Sequence, residues 1–162
     1  MVEKEDRGLT RQRNYGVERV NAKMDVIAFL DDDIRLDKNY FYEILQPYEE
    51  DEKVIAVGGC TTNEVKWSKQ DSDSECKKGK FCIDGYARNE SLRFRLRNIL
   101  GLVPSTQPGV ISLYSHERST GYLPPSDKYY IVDFMMGGIA SFKKELFDKI
   151  GFSHYFEGYG LY

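Results

Sequence analysis

Cysteine is scarce in this chain of 162 residues: Cys60, Cys76 and Cys82 are the only three, and no two of them stand in a Cys-x-x-Cys spacing. An odd count leaves one thiol over in any disulfide scheme, which favours a reducing compartment. A zinc site built from these and His116 is disfavoured for want of a close cysteine pair. No apolar run approaches the roughly 20 residues that span a bilayer, and no signal-type apolar segment precedes the first helix. The expected setting is therefore a soluble, cytoplasmic one. The net charge is −3, with no excess of basic residues, so a nucleic-acid footprint is excluded.

What is present is globular in composition: 41% hydrophobic and 14% aromatic residues, enough for one core. The segment Val26-Ile27-Ala28-Phe29-Leu30 is an apolar run of strand length that ends in Asp31-Asp32-Asp33. A short run with β-branched residues at its start, bounded by charge, reads as a buried strand. In open α/β sheets ligands gather outside the carboxyl ends of strands, where this triplet falls. Adjacent carboxylates repel one another unless a cation neutralises them, and an all-oxygen donor set selects Mg²⁺ or Mn²⁺ over zinc. The competing reading has Asp32 in solvent and Asp33 capping the next turn.

Further strands are expected around 54–58, ending at Gly58-Gly59, and around 130–136. The first of these follows a helix, so it should pair in parallel with the Val26–Leu30 strand through a right-handed crossover. Helices are expected from Thr10, as N-cap, to about Asn21, and from an Asp37 cap through Phe41, Ile44, Leu45 and Tyr48, a core-facing stripe that Pro47 breaks or kinks near its end. Ser141 should cap another helix, with Phe142, Leu146, Phe147 and Ile150 inward and Gly151 ending it. Lys66 to Lys80, lysine-rich with almost no apolar content, reads as a mobile surface loop. Between them, Leu92, Leu96, Ile99 and Val103 line one arc of a basic helix. Packing of that stripe on the domain itself is the favoured reading, with docking on an anionic membrane surface as the alternative. Four of the five prolines fall between Val103 and Lys128 and mark a long connection. Tyr155, Phe156, Tyr159 and Tyr162 form an aromatic group suited either to core packing or to stacking on sugars.

Two sets of residues carry a family resemblance. Arg7-Gly8-Leu9-Thr10-Arg11-Gln12-Arg13-Asn14-Tyr15-Gly16 resembles the segment of family 2 glycosyltransferases that leads through a helix into the strand ending in the DxD motif. Met136-Gly137-Gly138-Ile139-Ala140-Ser141-Phe142-Lys143 through Phe147 is similar to that family's Gly-Gly turn and the helix after it, with Lys143 where the family has Arg. Ile150-Gly151-Phe152 and then Phe156-Glu157-Gly158-Tyr159-Gly160 resemble the approach to its catalytic Glu-Asp pair.

The resemblance implies a partial GT-A fold, Rossmann-like α/β with a mainly parallel sheet flanked by helices, spanning 1–162 with 60–128 as an insertion or acceptor-side region. It implies inverting, metal-dependent transfer of a hexosyl-type sugar from a nucleoside-diphosphate sugar to a saccharide or lipid-linked acceptor, in polysaccharide or glycoconjugate biosynthesis. Donor binding then falls to Arg7, Gly8, Arg13, Asn14, Asp31, Asp32, Gly137 and Gly138, and the Mn²⁺ or Mg²⁺ ion to Asp31 and Asp33. Either Asp31 or Asp32 would face the ribose. The general base is expected just after Tyr162 and a nucleotide-binding half before Arg7, so the chain reads as the middle of a domain, open to self-association through an uncovered strand edge. Contact with the inner face of a membrane is a further expectation.

Other classes fit less well. A haloacid-dehalogenase-type phosphatase wants Thr or Val where Arg35 stands, and an EF-hand wants Gly and Glu at the positions of Leu36 and Tyr42. A catalytically inactive glycosyltransferase-like binding module is the serious alternative.

Overall fold

In chain order the elements are α1 (Leu9–Glu18), β1 (Val26–Leu30), α2 (Tyr40–Glu50), β2 (Ala56–Gly58), β3 (Ser68–Lys69), β4 (Lys80–Ile83), β5 (Tyr86–Asn89), α3 (Leu92–Ile99) and β6 (Ile139–Lys143), with short 3₁₀ turns at Thr120–Tyr122 and Lys144–Asp148. They come from a computed structural model that describes residues 8–63, 65–70, 75–153 and 155. The chain divides into two units, residues 1–58 with 137–162, and residues 59–136.

The first unit is built on a three-stranded sheet of order β1-β6-β2 in which both pairings are antiparallel. Ile27 stands opposite Phe142 and Leu30 opposite Ile139. This corrects the mainly parallel sheet expected from the sequence. β1 and β2 do run in the same direction, as a strand-helix-strand unit requires, but β6 lies between them and reverses both contacts. The last strand is also displaced from its expected place. Residues 131–136 are not a strand: the Asp133 amide donates to the Gly109 carbonyl, and its carboxylate accepts from the Ile111 amide. The strand begins instead beyond the glycines, at Ile139, where Ser141 was expected to start a helix.

Ser141 is fully buried in β6, donating to the Val57 carbonyl at 3.1 Å and sharing a hydrogen bond with the Tyr48 hydroxyl at 2.9 Å. A buried hydroxyl without partners would cost roughly 1–3 kcal/mol, so this pairing is what admits a serine to the centre of the sheet. The expected inward residues after it form only the short 3₁₀ turn.

The helices cover the two faces. On one, Phe29 and Phe142 meet Phe147 and Phe152 edge-on, with ring centres 5.0–6.4 Å apart. On the other, α2 reaches Ser141 through Tyr48 and the Ile139 carbonyl through Tyr40. Its inner face is Ile44, Pro47 and Tyr48, while Phe41 and Leu45 of the expected stripe are exposed. α2 starts at Tyr40, and Asp37 forms a local turn with the Asn39 amide rather than a helix cap. The helix runs three residues past Pro47. α1 begins at Leu9 with Gly8 as its N-cap, and Thr10 is buried one residue inside.

The second unit holds a three-stranded antiparallel sheet of order β3-β5-β4. Asp84 and Gly85 both have positive φ, 50° and 74°, a two-residue type I′ turn joining β4 to β5. Phe81, Phe94 and Tyr122 surround the Arg118 guanidinium, whose partner is the buried carboxylate of Glu90. The region read as a mobile loop thus contains β3, and Cys76 and Cys82 are joined by a disulfide, leaving Cys60 as the free thiol. With that disulfide closed, the odd cysteine count no longer argues for a reducing compartment.

Candidate functional site

Asp31 follows the last residue of β1, and its amide donates to the carbonyl of Gly138 at 2.9 Å, extending the β1–β6 pairing by one bond. That bond draws the aspartate against the Gly137-Gly138 turn. A Cβ placed on Gly138 would lie 2.0 Å from Oδ2 and 2.4 Å from Cγ of Asp31, so only glycine leaves room for the carboxylate there. The Asp31 carboxylate thus occupies the space beside this turn.

Arg13, on α1, completes this corner. Its Nη2 donates to the Gly137 carbonyl at 3.0 Å and lies 3.9 Å from Oδ1 of Asp31. The guanidinium sits 5.8 Å from the centre of Phe29 and 5.5 Å from that of Phe152, so the rings fix its plane while its edge meets the turn. Arg13 is 18% exposed and Asp31 54%. The arginine is thus largely enclosed, whereas the carboxylate opens to solvent.

Asn14, the next residue, uses both ends of its amide: Nδ2 donates to the Phe152 carbonyl and Oδ1 accepts from the Phe152 amide, each at 2.9 Å. Arg13 and Asn14 therefore clip α1 to two separate loops, one before β6 and one after the 3₁₀ turn. Tyr40 enters from α2, donating to the Ile139 carbonyl one residue beyond Gly138 at 3.4 Å, and burial raises its phenol pKa above the ordinary value. Nothing in the sequence singles out Phe152 or Tyr40 for this corner. Tyr40 belongs to the aromatic triple that opens α2, a pattern equally at home in a core.

Asp32 and Asp33 lie in the exposed turn after Asp31 and make no hydrogen bond or ion pair with the described residues. Gly8 caps α1 through its carbonyl, which accepts from Gln12 at 2.9 Å. Of the donor-binding set, the structure brings together Arg13, Asp31, Gly137 and Gly138, places Asn14 beside them as a clip, and leaves Asp32 on the open side. Arg7, Phe156, Glu157, Tyr159 and Tyr162 lie outside the described residues. Lys143 stands opposite Val26, at the far end of β1 from Asp31, and its ammonium donates to the Glu52 carbonyl. An open hollow of about 650 Å³ also lies at that far end, between Met24, Tyr48 and Lys144, away from the aspartates.

Among the described residues no three His, Cys, Asp or Glu side chains gather into a cluster that would hold a metal unaided. The donors at the end of β1 are carboxylate oxygens alone. That set suits Mg²⁺ or Mn²⁺ held by one or two carboxylates and completed by water and phosphate oxygens.

Neither a curated protein nor a solved structure matches the chain. The family model "Glycosyl transferase family 2" matches residues 1–151, which takes in α1, the aspartate triplet, the Gly-Gly turn and β6, and the chain belongs to that family.

Proposed function

We propose that this chain carries the donor side of an inverting transferase that moves a sugar from a nucleoside-diphosphate sugar to a hydroxyl of a saccharide or lipid-linked acceptor, in the building of a polysaccharide or glycoconjugate. The observation that carries the reading is the corner where Asp31, held in the cradle of Gly138, faces outward beside the enclosed Arg13. Breaking the sugar–phosphate bond leaves a diphosphate with growing negative charge, and the site must meet that charge. A Mg²⁺ or Mn²⁺ ion, when bound by Asp31 and Asp33, supplies that compensation by drawing electron density from the leaving oxygens. Arg13 holds the Gly-Gly turn through the Gly137 carbonyl and sets its positive charge beside the Asp31 carboxylate. Asp32, on the open side, or Asp31 itself, would accept hydrogen bonds from ribose hydroxyls.

Calorimetric titration of the full chain with Mn²⁺ and a panel of nucleoside diphosphates and their sugars tests the reading. Wild type should bind a nucleoside diphosphate only with the divalent ion present, and Asp33→Ala should weaken that binding by about tenfold or more while melting at an unchanged or slightly higher temperature, since one of three mutually repelling carboxylates is gone. Unchanged ion-dependent binding in a folded Asp33→Ala variant removes the metal assignment. No binding by wild type moves the reading to an inactive binding module.

A further inference from the structure

The helix α3 turns its apolar side outward. Leu92, Leu96, Ile99 and Leu100 are 70%, 54%, 80% and 70% exposed, and no residue of α3 is buried. The helix is held from its opposite side, where Phe94 packs on the ring of Tyr122 at 5.3 Å and on the Arg118 guanidinium. The packing expected from the sequence is thus reversed: one aromatic anchors the helix, and the leucine stripe is left in water. Stripes of this kind on a settled helix mark a surface that something covers.

The charge pattern says what. Arg93 and Arg95 flank the stripe on its two sides at helical spacing, Arg97 follows, and no carboxylate occurs anywhere from Ser91 to His116, in a chain whose net charge is −3. The one acid just before the helix, Glu90, is buried and spent on Arg118. A second apolar tip stands next to the end of α3. The His116 amide donates to the Leu102 carbonyl at 3.1 Å, and the turn that precedes His116, closed by Ser112 and Ser115, carries Leu113 and Tyr114 at its apex, 89% and 91% exposed. Leucine and isoleucine framed by arginine on a helix that carries no acid, with a leucine-tyrosine tip beside it and the nearest other acids, Glu117 and the Asp133 that holds the Ile111 amide, outside the helix, is the composition of an element that lies in the headgroup layer of an anionic bilayer. There the apolar side chains enter the acyl boundary and the guanidinium groups meet lipid phosphates.

We propose that α3, together with the Ser112–Ser115 turn, is a docking surface for an anionic lipid membrane. The lipid contact stands on this surface alone. Its use, to hold the transfer site at a bilayer where a lipid-linked acceptor would lie, rests on the proposed function.

The test is co-sedimentation of the full chain with vesicles of pure phosphatidylcholine and with vesicles containing equal parts phosphatidylcholine and phosphatidylglycerol, without nucleotide. Wild type should partition onto the anionic vesicles, less so at high salt, and weakly onto the neutral ones. Leu96→Glu with Ile99→Glu should cut anionic binding by at least about tenfold, because each of the two side chains would otherwise be buried in the acyl boundary. Arg93→Gln should weaken it less and flatten its salt dependence. Leu96 and Ile99 are exposed, and melting curves with Leu96→Ala and Ile99→Ala versions separate a lost contact from a lost fold. Failure of wild type to bind anionic vesicles, or binding unaltered in the double variant, overturns the proposal. So does a concentration-dependent dimer that the double variant abolishes while vesicles capture nothing, which would make the face a contact between copies. Donor binding is measured without vesicles, so failure there leaves this result intact.

Discussion

Asp31 and Gly138 are locked together twice, by a 2.9 Å hydrogen bond from the aspartate amide to the glycine carbonyl and by a carboxylate that fills the space a Cβ would take, 2.0 Å from Oδ2. Gly138→Ala should therefore push the Asp31 side chain aside. The carboxylate is half exposed and can rotate, so the stability cost should be small, about 1 kcal/mol or less. The functional cost should be large. Ion-dependent binding of a nucleoside diphosphate should fall at least about tenfold, a loss of about 1.4 kcal/mol. Calorimetry beside a melting curve reads both; a variant that melts normally and binds normally would remove Asp31 from the donor site.

Asn14 offers the opposite balance. Its two hydrogen bonds to the Phe152 backbone hold α1 to the loop that carries one wall of the Arg13 pocket. Asn14→Ala should lower stability by about 1–3 kcal/mol, since two backbone groups lose partners. Asn14→Asp keeps the acceptor for the Phe152 amide but sets a carboxylate oxygen against its carbonyl, and should cost at least as much. Denaturant melts of both variants check the order, and an Asp variant more stable than the Ala variant would show that the donor half of the clip is idle.

How much of this is legible in the sequence depends on which forces each segment answers to. The apolar run at Val26–Leu30 and the acids after it are plain, because a run of five apolar residues bounded by charge has one economical reading. The partner strand lies at Ile139–Lys143 rather than 130–136, and a Gly-Gly pair reads equally as the end of one strand or the start of another. Only the tertiary role of Ser141, satisfied by Tyr48 and Val57, decides between them. The antiparallel sense of the sheet comes from β6 lying between β1 and β2 and running opposite to both, which the local pattern does not show. The pair Arg13 and Asn14 is visible as a motif, but Phe152, which receives both, lies 138 residues beyond Asn14 and carries no local mark. In residues 60–128 the Asp84-Gly85 turn between Phe81-Cys82-Ile83 and Tyr86-Ala87 is the available hairpin signal, hidden by the polar segment before it. The stripe on α3 is readable, but its direction is not: periodicity shows that a helix has two sides, not which of them is covered.

Tyr48 sets an alkaline limit on the first unit. Burial is the largest influence on its phenol and raises the pKa above the ordinary value near 10, while hydrogen bonds with Ser141 and Val57 pull the other way. A group whose folded-state pKa is raised adds stability that is fully present below the unfolded pKa and fades as pH climbs through the folded one. The melting temperature should therefore hold up to about pH 10 and decline above it. Tyr48→Phe should cost about 1 kcal/mol at neutral pH for the lost hydrogen bond and should decline less steeply above pH 10. Equal alkaline slopes in the two proteins would assign the decline to other groups.

Asp84 sets the corresponding acid limit on the second unit, and here backbone and charge can be separated. Its carboxylate accepts from the Lys128 ammonium at 2.8 Å and from the Tyr130 hydroxyl at 2.5 Å, and these hydrogen bonds, Lys128 first, hold its pKa below the usual carboxylate value. A depressed folded-state pKa gives stability that is present above the unfolded pKa, near 3.9, and is lost as pH falls through the folded value. The same residue has φ of 50°, a left-handed conformation that asparagine accepts far more readily than alanine. Asp84→Asn should thus keep the β4–β5 turn, lose the Lys128 ion pair, and melt with a flatter acid limb below about pH 4 than wild type. Asp84→Ala should lose the charge and add backbone strain, falling roughly 1 kcal/mol below the Asn variant at every pH. Hydrogen exchange of the β4 and β5 amides, read at pH 3 and pH 6 for the three proteins, distinguishes the two contributions. Matching protection in the Asn and Ala variants would mean that the turn, not the aspartate, dictates its own geometry. An unaltered acid limb in Asp84→Asn would place the acid sensitivity of this unit elsewhere.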